Sequence, residues 1–201
     1  MRGCESDPGM MILCIRDILN FVRDHAHIKY TLKVSYLEVY NEEINDLLGE
    51  PGNSNSKNLK IVSEDSVRGA VIGGLVEEVA QTPEDFMEIL KRGESSRSYA
   101  STEMNNESSR SHTIYRVTIE SIDIPADGSP PTSGGKVAYL NLVDLAGSER
   151  QKSTKAEGKT LKEGSNINKS LLALGAVINK LGESSKKVSI IVLYCCSSTA
   201  L

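Results

Sequence analysis

Asp144 and Gly147 have the residue types and spacing that could bind a phosphate group. They form an Asp-x-x-Gly segment directly after the apolar run from Val137 to Val143. A carboxylate at the end of a strand can hold Mg²⁺ through water, and a glycine lets a backbone N–H approach a terminal phosphate closely. An ordinary turn, in which the Asp caps the next segment and the Gly bends the chain, is the alternative.

A second polar segment, NNESSRSH from Asn105 to His112, precedes a strand-like run. The hydroxyls of Ser108 and Ser109 could contact phosphate and magnesium, and Arg110 offers a planar fork of donors to a carboxylate. A stretch of this composition is also typical of an ordinary surface loop. Composition alone leaves both interpretations open.

The sequence contains no complete phosphate-binding loop. Such a loop has the pattern Gly-x-x-x-x-Gly-Lys-Ser/Thr, because the first glycine lets the backbone N–H groups curl around the phosphates. The triplet at Gly158 ends in Lys-Thr but has Ser153 at the place of the first glycine. The pair at Gly135 has Pro130 at that place and Val137 after the lysine. The two polar segments therefore predict half of a nucleotide site.

Other nucleotide and hydrolase classes are disfavoured. Small GTPases carry an Asn-Lys-x-Asp motif, but the Asn-Lys pairs at Asn168 and Asn179 are not followed by this Asp. The histidines, at positions 25, 27 and 112, come without the nucleophile elbow of a hydrolase. As a metal pair, His25 and His27 are a weak candidate, and solvated loop histidines are the alternative.

The charge is distributed unevenly along the chain. The 201 residues carry a net charge of -4, but Arg150 to Lys187 has nine basic and three acidic residues, a local +6 that leaves -10 for the remainder. An anionic partner for this basic stretch is one interpretation, and a solvated surface is the other. The overall acidity gives no support to nucleic acid binding.

The cysteines and the chain ends bear on the compartment. The four cysteines lack the paired spacing of a zinc site, which favours a reducing cytosolic environment. They are Cys4, Cys14, Cys195 and Cys196. The first residues lack the pattern of a secretory signal, and the final apolar run, Val188 to Tyr194, is too short to cross a bilayer. We expect a cytoplasmic chain with no membrane partner.

Hydrophobic periodicity predicts alternating helices and strands in the first half of the chain. An amphipathic helix is predicted over 8–24, a strand over 30–40, and a short acidic helix over 41–48. A helix starting at Thr82-Pro83 is expected to stop at Gly93 and to be followed by another, up to about residue 102.

The second half adds two strands and a long helix. The segment 112–124 is strand-like, and 137–143 has the continuous apolarity of a central strand covered by helices on both faces. One long helix is predicted over 162–181. The alternation indicates an α/β domain with a mixed central sheet flanked by helices.

Four motifs, taken together, resemble the kinesin motor domain. NNESSRSH is similar to the family's first nucleotide switch, DLAGSER to the second, and NINKSLLALGAVINKL to the long helix that members lay on the microtubule. SYLEVYNEEINDLL is similar to the upstream strand and acidic turn, and details such as LKEGSNINKSL most resemble the centromere-associated subfamily. The resemblance implies a partial motor domain over 1–181 and a divergent C-terminal tail over 182–201.

The resemblance implies nucleotide contacts for both polar segments. Ser108 and Ser109 would contact the γ-phosphate and the magnesium ion of ATP, and Asn105 would help to set the loop. Asp144 would hold magnesium through water, and Gly147 would sense the γ-phosphate.

The resemblance also implies a salt bridge that closes the two switches around the attacking water. Arg110 and Glu149 would form it. Together with Ser108 and Gly147, they make up the catalytic set implied by the family.

The basic stretch gains a partner in the same way. By resemblance its part from Lys152 to Lys169 would face the acidic surface of tubulin, where attraction speeds association and should weaken with added salt. The implied microtubule-binding residues are Lys152, Lys155, Lys159, Lys162, Asn166 and Lys169.

Three departures from the family pattern bear on the expected activity. In kinesins, a segment resembling MRGCESDPG follows strands and a phosphate loop that ends in Gly-Lys-Thr, and this loop pattern is missing here. After the long helix, kinesins have a segment of the type Tyr-Arg-Asp-Ser-Lys-Leu-Thr, whereas this chain has KKVSIIVLYCCSSTAL. Lys155 stands where many relatives have glycine. Since the phosphate loop supplies most of the grip on a magnesium nucleotide, we expect weak or absent binding of ATP and Mg²⁺.

We therefore expect a fragment of an ATP-dependent microtubule motor. The fragment would lack the N-terminal strands with the phosphate loop and the C-terminal strand and helices. It would associate with the microtubule cytoskeleton. A catalytically inactive microtubule-binding or interaction fragment is the alternative. A non-functional product of aberrant splicing or of an incorrect gene model is a third interpretation, drawn from the unusual C-terminal residues.

Overall fold

The computed structural model describes residues 8–50, 53–65, 69–100, 111–125 and 135–146. It also describes seven single residues, all helical: Lys169, Leu172, Ala173, Gly175, Ala176, Asn179 and Lys180. The helices with defined bounds are α1, Met10–Asp24, and α2, Pro83–Ala100. The strands are β1, Ile28–Tyr40; β2, Glu43–Asp46; β3, Ile61–Asp65; β4, Gly69–Ile72; β5, Glu78–Val79; β6, His112–Asp123; and β7, Lys136–Asp144.

The main sheet is built around β1. β6 pairs with β1 along almost its whole length, and β7 pairs with the far side of β6. On its other side β1 pairs with β2 and β5, while β3 and β4 form a separate hairpin. Every pairing among the described strands is antiparallel. The predicted domain of a sheet with flanking helices is confirmed, and β1 and β6 are the strands predicted at 30–40 and 112–124.

The hydrophobic core lies between one face of this sheet and the two helices. Inward residues alternate along β1, and the register sets Val34 beside Val117 and Tyr36 beside Tyr115. Each large apolar side chain buried in this way contributes about 1.5–3 kcal/mol. The core residues, each at most 4% exposed, include Met11, Ile15, Leu32, Val34, Tyr36, Phe86, Ile89, Leu90, Tyr115, Val117 and Leu142.

Helix α1 confirms the helix predicted over 8–24. It begins at Met10 after Gly9, which supplies no side-chain cap. Apolar residues at spacings of three and four place Met11 and Ile15 in the core, with Ile18 packed against it. Within the described residues, no helix combines the length and the apolar character that crossing a membrane would need.

The start of α2 is fixed by reciprocal capping between Thr82 and Asp85. The Thr82 Oγ1 accepts the Asp85 N–H at 3.2 Å, and the Asp85 Oδ2 accepts the N–H groups of Gln81 and Thr82, both at 2.9 Å. These backbone donors lower the pKa of Asp85 below its ordinary value. The predicted helix start at Thr82-Pro83 is therefore confirmed.

The predicted helix stop at Gly93 is wrong, because α2 continues through this residue to Ala100. Gly93 is buried, and its Cα lies so close to the Tyr36 ring that an added Cβ would overlap the ring carbons. The glycine is there to let the helix approach the sheet, a tertiary reason that local propensity does not reveal.

The predicted acidic helix at 41–48 is also wrong. Asn41 and Glu42 have φ values of 51° and 68°, as in a two-residue hairpin turn, and β2 follows in register with β1. The Asp46 carboxylate ends the strand by accepting the N–H of Leu48 and of Val76, both at 2.8 Å. Burial raises the pKa of Asp46 above its ordinary value despite these hydrogen bonds.

Strand β7 has less cover than its apolar sequence predicts. Among the described strands it lies at the edge of the main sheet, and its only described neighbour is β6. Leu142 is buried, but Val137 is 38% exposed. The apolar run therefore predicted the strand correctly, but the prediction of a central strand covered on both faces is wrong for the described part of the sheet. The single helical residues between 169 and 180 agree with the long helix predicted at 162–181.

A buried polar cluster joins the second half of α2 to the ends of β1 and β6. The Arg97 guanidinium lies 3.4 Å from the Glu38 carboxylate and donates from Nη2 to Ser111 Oγ at 3.1 Å. The Tyr36 hydroxyl donates to the Glu94 carboxylate. Burial, together with Glu94, raises the pKa of Tyr36 far above its ordinary value. The cluster fixes the residue that immediately precedes β6.

Gly93→Ala is expected to lower the free energy of unfolding by about 1–3 kcal/mol, because the new methyl group overlaps the Tyr36 ring. Urea unfolding measures this change. Gly175→Ala is the matched control: it is also a helical glycine, but a Cβ there meets nothing within 4 Å. It should be neutral or stabilising by up to about 1 kcal/mol. Equal effects of the two substitutions would contradict the close packing at Gly93.

Arg97→Met is expected to lower the free energy of unfolding by about 3–5 kcal/mol, because it leaves the Glu38 carboxylate buried beside an apolar side chain. The double variant Arg97→Met/Glu38→Leu removes both charges and should recover most of the loss. Chemical denaturation of both variants provides the measurement. A double variant as unstable as the single one would show that packing, rather than the uncompensated charge, is responsible.

Candidate functional site

The described ends of the two polar segments, Ser111–His112 and Asp144–Ala146, lie beside each other at one end of strands β6 and β7. β6 begins at His112 and β7 ends at Asp144, and the antiparallel register sets Thr113 beside Asp144. The His112 Nδ1 accepts the backbone N–H of Ala146 at 2.9 Å. The chain therefore enters β6 and leaves β7 at neighbouring points, as a shared cleft between the segments requires.

The His112 ring is partly buried at this junction. Burial lowers its pKa below the ordinary value, which favours the neutral form. A neutral ring that accepts at Nδ1 carries its proton on Nε2. The junction therefore contains a histidine in the protonation state that its hydrogen bond to Ala146 needs.

The structure describes two of the residues predicted for the site. Asp144 is the last residue of β7 and is partly buried, and Lys169 is helical and exposed. The remaining nucleotide-loop predictions lie outside the described residues: Asn105, Ser108, Ser109, Arg110, Gly147 and Glu149. So do the remaining basic-stretch predictions: Lys152, Lys155, Lys159, Lys162 and Asn166.

Lys169 forms an ion pair that sequence patterns did not predict. Its Nζ lies 3.1 Å from Oε2 of Glu42, in the turn between β1 and β2. The two side chains are 71% and 45% exposed. An exposed pair of this kind is weak, about 0–1 kcal/mol, and leaves the lysine available to a stronger anionic partner.

Sequence reasoning missed Arg97, the residue that anchors the entrance to β6. Its partner Ser111 is buried, at 1% exposure, directly before His112. Gly93 and Arg97 are four residues apart and so share one face of α2. The position of Arg97 on the sheet-facing side of α2 could be recognised only once the helix was known to continue past Gly93.

The weak metal candidate has no support in the described residues. The ring centroids of His25 and His27 are 5.9 Å apart, and the His25 Nδ1 is hydrogen-bonded to the Phe21 carbonyl at 2.8 Å. Within the described ranges, no group of three or more His, Cys, Asp or Glu side chains could hold a metal ion.

Comparison with known proteins gives a consistent family. The family model described as the kinesin motor domain matches residues 1–192. Kinesin-related protein 4 of Dictyostelium discoideum is 50% identical over 184 residues, and Centromere-associated protein E of Homo sapiens is 45% identical over 185 residues. Each alignment covers 91% of this chain but only 9% and 7%, respectively, of those proteins.

Solved structures agree with the sequence comparison. The chain is 41% identical to a fast kinesin, with a TM-score of 0.71, and 35% identical to KIF14 with ADP in complex with a microtubule, with a TM-score of 0.79. These matches cover 89% and 94% of this chain and 48% and 54% of the solved chains. The chain thus spans about half the length of those structures. On the family match and the shared fold, the chain belongs to the kinesin motor domain family.

Proposed function

We propose that this chain supplies the two nucleotide switches and the microtubule-facing surface of a kinesin motor, whose family reaction is ATP hydrolysis coupled to movement on microtubules. The observation that supports it best is the hydrogen bond that His112 accepts from the Ala146 N–H, because these two residues are described ends of the two polar segments. Two loops that are connected to neighbouring strand ends can respond together to a single bound phosphate group. In a cell, the chain would act on the microtubule cytoskeleton of the cytoplasm.

The nucleotide side of the proposal rests on oxygen ligands and backbone donors. Mg²⁺ prefers one or two carboxylate or hydroxyl ligands in addition to water and phosphate oxygens. Asp144, at the end of β7, has the right chemistry to hold it through water, and Ser109 would add a hydroxyl. Bound ATP–Mg²⁺ would supply the scissile phosphate bond and a metal that neutralises its charge.

The protein's part in the reaction would be positioning and electrostatic stabilisation. Asn105 would set the first loop, Ser108 would contact the γ-phosphate, and the Gly147 N–H would sense it from the second loop. Arg110 and Glu149 would pair across the two loops and order the attacking water.

The microtubule side of the proposal rests on charge. Lys169 and Lys180 are exposed helical residues, and the stretch containing them has a net charge of +6. Tubulin presents an acidic surface, so a basic face of this kind would speed association. The similar KIF14 structure is a complex with a microtubule.

An inactive microtubule-binding module is the second candidate. The sequence from Met1 to Leu201 contains no Gly-x-x-x-x-Gly-Lys-Ser/Thr pattern. Because this element contributes the main backbone donors and the lysine that hold the phosphates, the switches alone would bind nucleotide poorly. Under this candidate, microtubule binding would be independent of nucleotide.

The wild-type chain is expected to co-sediment with microtubules at low ionic strength and to lose affinity as salt is added. Lys159→Glu/Lys162→Glu should weaken binding roughly tenfold, because it reverses two charges that would face tubulin. Lys186→Glu/Lys187→Glu is the matched control, because it makes the same change in net charge outside the implied microtubule-binding residues, and it should bind nearly as wild type. An absence of pelleting at low salt would remove the microtubule proposal. Equal losses in both pairs would indicate unspecific attraction.

The isolated 201 residues are expected to show little microtubule-stimulated ATPase activity, because the phosphate-loop pattern is missing from them. Phosphate release with and without microtubules is the measurement. Robust turnover that disappears in Gly147→Ala would contradict this expectation and support a complete site. Pelleting that is the same with ATP, with ADP and without nucleotide would favour the inactive module.

A further inference from the structure

We propose that His112 is a positioning residue that sets the placement of the second switch relative to the first by accepting the amide of Ala146. The proposal rests on the function proposed for the two switches. It adds a residue to which neither the family comparison nor the sequence motifs assigned a role.

The hydrogen bond lies where the backbone ladder between β6 and β7 ends. Thr113 and Asp144 form the last described pair of that ladder. Two residues beyond it, the N–H of Ala146 is held at 2.9 Å by the His112 ring instead of by a backbone carbonyl. A side chain thus extends the connection between the strands beyond the ladder.

Both partners of this hydrogen bond are firmly held. Ser111 is fixed by the Arg97 guanidinium at 3.1 Å, and His112 is paired with Val39 of β1. Ala146 is 4% exposed, directly after the end of β7. Because both partners lie among packed or paired residues, we expect this bond to pass a displacement of one segment on to the other.

The two segments on either side carry the proposed functions. Residues 105–110 enter β6 through Ser111, and residues 147–149 leave β7 through Ala146, followed from Arg150 by the basic stretch. A hydrogen bond between His112 and Ala146 therefore sets the position from which the chain continues toward the basic stretch, relative to the first switch. Its loss should loosen this position without altering any charge that faces tubulin.

Three substitutions separate the acceptor from the bulk of the ring. His112→Asn keeps an acceptor near the position of Nδ1, whereas His112→Phe keeps a ring of similar size without an acceptor. His112→Gln stays polar but moves its acceptor toward the position of Nε2. It therefore tests the loss of the Nδ1 acceptor if the Phe variant does not fold. Thr118→Val is the matched control: it removes a buried hydroxyl on β6, 3.4 Å from Glu77 and away from the junction.

The first readout is hydrogen exchange at the Ala146 amide, measured by NMR on the 201-residue chain. His112→Phe and His112→Gln should speed exchange about five- to tenfold, the size expected for one neutral hydrogen bond. His112→Asn should stay within about twofold of wild type, and Thr118→Val should leave exchange at Ala146 unchanged.

The second readout is microtubule affinity by co-sedimentation at low ionic strength. His112→Phe and His112→Gln should bind about five- to tenfold more weakly, His112→Asn should be rescued to within about twofold of wild type, and Thr118→Val should bind as wild type. The salt dependence should be the same in all variants that bind, because none changes a charge at the basic stretch.

The two readouts fail in different ways. Unchanged exchange at Ala146 in His112→Phe or His112→Gln, no rescue by His112→Asn, or an equal loss of affinity in Thr118→Val would each overturn the positioning role. A wild-type chain that does not bind microtubules would overturn the proposed microtubule function, while exchange at Ala146 would still decide whether His112 holds that amide.

Discussion

The register of β6 between β1 and β7 is the constraint on which the core and the site both depend. Side chains alternate along a strand, so a slip of one residue would turn Tyr115 and Val117 away from the helices. The same slip would separate His112 from Ala146 and Thr113 from Asp144. Burial of the core therefore specifies the geometry of the junction, although no core residue takes part in the proposed chemistry.

The buried polar cluster adds orientation to this packing. Hydrophobic contacts hold α2 against the sheet but do not fix its rotation closely, whereas the contacts of Arg97 with Glu38 and Ser111 have few alternatives. A buried ion pair contributes little net stability, and its best-attested value is in specifying one arrangement. Here the arrangement holds Arg97, in the second half of α2, and Ser111, directly before β6, in fixed positions beside Glu38 of β1.

Strong periodicity made much of the fold predictable. α1, β1 and β6 follow directly from spacings of three to four or of two, whereas Ile44, Leu47 and Leu48 imitate helical spacing in a segment that forms a hairpin. Gly93 was misread because its reason, the Tyr36 ring, is far away in sequence. The motifs indicated that two loops belong to one site, but the contact between His112 and Ala146 needs a strand register that local patterns do not contain. All of the roles assigned to the switch residues and the lysines stay predictions.

The contact between Gly93 and Tyr36 couples the substitutions that can be accepted in evolution at two positions separated by 57 residues in the sequence. While position 36 keeps an aromatic ring, alanine at position 93 is disfavoured by the overlap with that ring, even though helix propensity favours alanine over glycine. A smaller residue at position 36 would remove that overlap, but would leave a void unless the two changes occurred together. Homologues should therefore exchange these residues as a pair, and the depth at which α2 sits on the sheet should follow that exchange.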